Sequence, residues 1–124
     1  PSFAVLGQDP RRHMKSFPSL IGNIDTLDQA AAGRGRLSLD QDFDGIVRRV
    51  PLASRVGDKI IPSLALDMLR VATGRNVVIQ ANENGIIGFK VAGTLVPTDT
   101  KGRIWIKYSE YDPALYVSAV DVIV

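Results

Sequence analysis

The chain has no cysteine and a single histidine in 124 residues. The missing thiols exclude disulfide scaffolds, thiolate zinc sites and cysteine nucleophiles together. They leave the compartment open, because a secreted domain with an adequate core needs no bridges. His13 stands alone in a polar stretch, and without an acid or a nucleophile placed beside it no triad can be built. No apolar run approaches the ~18 residues of a membrane span. No signal peptide or starting Met precedes Pro1-Ser2-Phe3, so the chain reads as a piece of a longer protein. A surplus of one charge sign is missing too. Fifteen Lys+Arg face thirteen Asp+Glu for a net charge of +2, and the cations are scattered along the chain. A nucleic-acid binder concentrates its Lys and Arg on one face, so that class is not expected.

What remains is ordinary for one soluble domain: 45% apolar and 23% charged residues. A chain of this length closes one core, which argues against a two-lobed enzyme with a cleft between its halves. The fold class expected is mixed α/β (α+β), a partly antiparallel central sheet with a few packed helices, in a single domain over 1–124. Phe3 to Leu6, ending at Gly7, reads as a buried strand. Gln8 to Pro18 reads as a loop. Thr26 to Ala32 is a short helix capped by Asp25 or Thr26. Residues 36–56 read as a β-hairpin around the acidic turn Asp40-Gln41-Asp42-Phe43-Asp44-Gly45. Pro51 marks its second strand as an edge or an interrupted one.

The strongest helix signal runs from Pro62 to Thr73, with Pro in the first turn and Gly74 as a stop. Its spacing places Ser63, Asp67 and Arg70 on a solvated face, and Ile61, Leu64, Ala65, Met68 and Ala72 on a dry one. Leu64, Met68 and Ala72 are expected beside Ile104 and Ile106. Val77 to Ile79 is a strand before the turn Asn82-Glu83-Asn84-Gly85. Ile86–Val91 and Thr94–Val96 form a tight hairpin around Ala92-Gly93. Arg103 to Tyr108 alternates as a strand, with Trp105 on the opposite face from Ile104, Ile106 and Tyr108. Val117 to Val124 is β-rich in composition, yet Ser118 and Asp121 form an N-cap pair.

Candidate chemistry is sparse. Asp40-x-Asp42-x-Asp44-Gly45 matches the first half of a calcium loop, so a soluble calcium-dependent binding module using turn 40–45 is the alternative function. Its twelfth position is Pro51, which cannot ligate through a side chain, and no metal site is expected. Arg48 alternates onto the face of Ile46, Val50 and Leu52, where a guanidinium needs an acceptor. Its expected role is an ion pair with Asp42 or Asp44, ahead of a ligand contact. Gly33-Arg34-Gly35 lacks a third glycine and follows a helix, where a dinucleotide loop would precede one. Trp105, Tyr108 and Tyr111 are read as packing residues. With no acid–base or nucleophile pair, no catalytic residue is assigned and no cofactor is expected.

Four segments nonetheless form an ordered pattern. They are Asp42-Phe43-Asp44-Gly45-Ile46-Val47-Arg48-Arg49-Val50-Pro51-Leu52, then Ile61-Pro62-Ser63-Leu64-Ala65-Leu66. Leu95-Val96-Pro97 with Gly102 to Tyr108 follows, and Ser118-Ala119-Val120-Asp121-Val122 closes the series. Over roughly residues 20–124 this resembles the type-two CHASE domain, an extracellular sensory module associated with bacterial cyclases and histidine kinases. The resemblance implies that Asp42, Asp44, Gly45, Arg48 and Arg49 are a family signature turn. It also implies a helical end to the chain. The chain would be the C-terminal part of a longer extracytoplasmic domain in a plasma- or inner-membrane receptor. Membrane spans and a cyclase or kinase output domain would lie outside it. The partners implied are a small-molecule or protein signal, of unknown identity, and a second copy in a receptor homodimer. No nucleic-acid partner is implied.

Overall fold

Local rules account for the tightest reversals. Ala92 (φ 50°) and Gly93 (φ 89°) both take positive φ, which matches the twist of a two-residue hairpin. They join the strand Gly85–Val91 to Thr94–Pro97. The computed structural model describes residues 3–123, and Pro1, Ser2 and Val124 lie outside the described residues. The strands are β1 (Ala4–Gly7), β2 (Ser16–Phe17), β3 (Arg49–Pro51), β4 (Ala53–Val56), β5 (Lys59–Pro62), β6 (Val78–Asn82), β7 (Gly85–Val91), β8 (Thr94–Pro97) and β9 (Arg103–Trp105). The helices are α1 (Asp25–Ala30), α2 (Leu64–Thr73) and α3 (Ala119–Val122), with single 3-10 turns at Pro10–Arg12 and Pro113–Leu115.

The strands form three sheets, ordered β1-β6-β7-β8, β2-β4-β5 and β3-β9. β1 and β2 pair parallel to β6 and β4, and the remaining pairs are antiparallel. The fold class is therefore α+β, with mixed sheets and three helices. The core joins Phe89, Ile79, Val77, Ile86 and Val91 of the first sheet region to Leu66 of α2 and to Leu52 and Ala53. Phe3, Ile60, Val96 and Ile104 pack around that cluster.

Three expectations need correction. β1 is a strand, but it is exposed along its length, because it is an edge that only β6 covers. Residues 36–56 are not a hairpin. β3 pairs with β9, β4 turns through Gly57 and pairs with β5, and Arg36 bridges to Ser63. The acidic turn reverses the chain without pairing its own flanks. The third correction is the face of α2. Its limits and caps follow the sequence: Ser63 Oγ accepts from Leu66 N–H at 3.3 Å, and Gly74 closes it in the left-handed region. The buried residues, however, are Leu66 and Asp67, while Leu64 and Met68 face outward. Pairing lets a carboxylate go inside, which apolar periodicity does not anticipate. At the C-terminus Ala119–Val122 is helical, as the resemblance implies.

Candidate ligand cleft and signature turn

The segment after α1 has to pass very close to α2, and its two glycines make that possible. A Cβ at Gly35 would lie 2.6 Å from Leu64 N and 2.8 Å from Ser63 O, and one at Gly33 would press on Val71 at 2.8 Å. Arg36 N–H donates to Pro62 O at 2.8 Å, and Leu64 N–H donates to Arg36 O at 3.0 Å. Asp67 locks the contact from the helix. Its Oδ2 accepts from the Arg34 N–H at 2.6 Å, and its Oδ1 from Arg70 Nε at 2.6 Å. Burial acts to raise the Asp67 pKa, but hydrogen bonds from Arg70 and Arg34 outweigh it and hold the carboxyl below its ordinary value. Gly33-Arg34-Gly35 is thus a docking seat for a helix.

That seat forms one wall of a cleft of about 750 Å³. Phe3 and Val5 face Ile60, Ile61 and Pro62 of β5, with Leu20 and Gly35 completing the apolar lining. Charged groups ring it. Arg11 is held by Asp9 at 2.7 Å, and Arg34 by Asp28 at 2.9 Å. Lys59 and Asp58 also border it, and neither makes a salt bridge among the described residues. An apolar floor under a charged rim suits a small amphipathic molecule, and the volume falls in the usual range for such sites.

The signature turn lies on a different part of the surface. Gly45 takes φ 80°, and Gly45 N–H donates to Asp42 O at 2.9 Å. Arg48 folds back over this turn. Its two terminal nitrogens reach the two Asp44 oxygens at 2.9 and 2.7 Å, and Nη1 also reaches Asp42 Oδ2 at 3.2 Å. Arg49 takes the other Asp42 oxygen at 3.3 Å and stacks on Trp105, 5.2 Å from the ring centre. The Arg48 hydrogen bonds hold the Asp44 carboxyl down to about 2, and the same bonds raise the Arg48 pKa.

All five signature residues are thereby brought to one place, 42–49, and this region is tied to the strand that carries the third motif. Ile106 N–H donates to Arg48 O at 2.8 Å, and the Tyr108 hydroxyl to Val47 O at 2.6 Å. The three acids do not converge as a calcium loop would need. Asp42 and Asp44 are turned to the arginines, and Asp40 pairs with Lys15. Among the described residues no group of three or more His, Cys, Asp or Glu could hold a metal ion. None of the helices described is long and apolar enough to cross a membrane.

Sequence reasoning missed Gly35, Asp67 and the cleft wall of β5. The signal available was the pair of glycines two apart directly after a short helix, a spacing that admits close backbone approach as readily as it fails a nucleotide loop.

A family model described as the CHASE2 domain matches residues 4–124. The match reaches back beyond the four motifs to take in β1 and the cleft wall. No curated protein and no solved structure matches the chain. The pattern of motifs, the α+β architecture and the family model agree, and the chain belongs to the CHASE2 domain family, whose members are extracytoplasmic sensory modules and not catalysts.

Proposed function

We propose that this chain is the C-terminal part of the ligand-binding domain of a bacterial transmembrane receptor. The receptor would be a homodimer whose cyclase or kinase output domain lies outside this chain. Membership of a sensory family over residues 4–124 carries the reading. The cleft between β1 and β5 would take a small amphipathic signal molecule. A sensor transmits only what its ligand binds differently in two arrangements. The cleft suits that need, since one wall is an edge strand and the other is β5, which leads directly into α2.

The surface supports a larger body around this chain. Ile21, Leu37, Phe43, Val120 and Ile123 are four-fifths or more exposed, or close to it, far beyond what a self-contained small domain leaves in water. Partner segments of the parent domain or the second receptor copy would cover them.

The sequence that follows Val124 tests the receptor context. Membrane spans leading to a cyclase or kinase domain are expected, and a chain ending without a span overturns it. The cleft is tested in the receptor by Ile61→Trp, which fills it. Loss of ligand response with basal output retained supports the assignment, and an unchanged response rejects it.

A further inference from the structure

Arg36 is the buried basic residue of the described chain, 7% exposed, and its Nε and Nη1 have no hydrogen-bond acceptor. Its guanidinium lies 4.6 Å from the centre of the Phe17 ring. An aromatic face attracts a cation but accepts none of its in-plane N–H bonds. Buried donors left in this way are costly, and burial holds the Arg36 pKa below its ordinary value, with Asp40 pulling the other way.

Two of its neighbours border a hollow of about 300 Å³, distinct from the apolar cleft. Lys15 shares the Phe17 ring with Arg36, its ammonium 5.2 Å from the ring centre, and Asp40 pairs with Lys15. His13, Lys101 and Arg103 complete the polar lining. Arg103 is held by Asp99 at 2.7 Å, whereas Lys101 makes no salt bridge among the described residues. Asp40 is the one carboxylate in this basic lining.

We propose that this hollow is a second ligand site, for a small molecule bearing an oxyanion, held by Arg36, Lys15 and Lys101. The planar guanidinium fork matches carboxylate and phosphate oxygens equally well. The volume limits the ligand to the small end of the usual range. Asp40 is the built-in competitor, because it shares Lys15 with the incoming anion. The site stands independently of the receptor reading.

Calorimetric titration of the chain at low ionic strength, with inorganic phosphate in one arm and succinate in the other, tests it against a chloride control. Saturable binding of at least one probe in the millimolar range or tighter is expected. Phosphate alone binding assigns phosphate chemistry, and succinate alone assigns a carboxylate. Arg36→Met and Lys101→Met should each weaken binding about tenfold, one strong charge-assisted contact. Asp40→Asn should tighten it severalfold, an effect that a merely structural role for Arg36 would not produce. If Arg36→Met does not fold, Lys101→Met and Asp40→Asn decide the matter. Failure of both probes to saturate overturns the proposal, as does binding that none of the three substitutions alters.

Discussion

The Tyr108 hydroxyl donates to the Val47 carbonyl at 2.6 Å across the space between the signature turn and the end of β9. Two motifs that stand far apart in the sequence are one structural unit, stitched by this bond, by the Ile106–Arg48 backbone bond and by the β3–β9 pair. Tyr108→Phe removes one hydrogen bond at an exposed site. The expected loss is about 0.5–1 kcal/mol, the lower part of the range for such bonds. Urea unfolding measures it, and the Ile106 amide should exchange faster.

Arg48→Met dissolves the clasp on Asp44. Because the pair is partly in water, the shift in urea midpoint should be small and should vanish in molar salt. A shift as large as that of a core truncation would refute this view of the pair. The ionisation of Asp44 is the sharper reporter. Its folded pKa lies below the model value of 3.8, at about 2, so its contribution is present above pH 3.8 and disappears as pH falls towards 2. Carboxyl NMR should find that midpoint in the wild type and one near 3.8 in the variant.

Asp67→Ala tests the helix seat. The carboxylate is buried and accepts from a backbone N–H and a guanidinium, so its loss should cost about 2–3 kcal/mol, the scale of hydrogen bonds to charged groups. The sign with pH follows that of Asp44: the Asp67 pKa is lowered, so acid removes the stabilisation. Gly35→Ala should cost about 3 kcal/mol through overpacking against Leu64 and Ser63. Gly22→Ala, with open space around it, should be neutral. Equal melting temperatures for the two variants would remove the seat from the account.

The core of α2 is decided by one comparison. Leu66→Ala should cost about 2–5 kcal/mol as a buried truncation. Leu64→Ala, at a side chain facing outward, should cost less than about 1 kcal/mol. The reverse order by chemical denaturation would restore the helix orientation expected from apolar spacing.

That reversal marks the boundary of what the sequence discloses. Features closed over a few residues were legible: the Ala92-Gly93 hairpin, the caps of α2, and the Asp44–Arg48 turn, whose partners lie four residues apart. Features that depend on distant segments were not. Nothing near Asp67 announces the Arg34 N–H that makes its burial tolerable, and nothing near Arg49 announces Trp105 as its register partner. The cleft was hidden for the same reason, since β1 and β5 meet only in the folded chain.

The parallel pairing of Ala4–Gly7 with Val78–Ala81 has a consequence for synthesis on the ribosome. The first strand to emerge is among the last that can dock, because its partner is translated only after both earlier helices and β2 to β5. Closing so long a loop is entropically slow. Until then the nascent chain carries Val5 and Leu6 on an unpaired strand, open to any other edge it meets. The β1 wall of the cleft is therefore completed late, and a chain stalled before Val78 has no binding surface there to present.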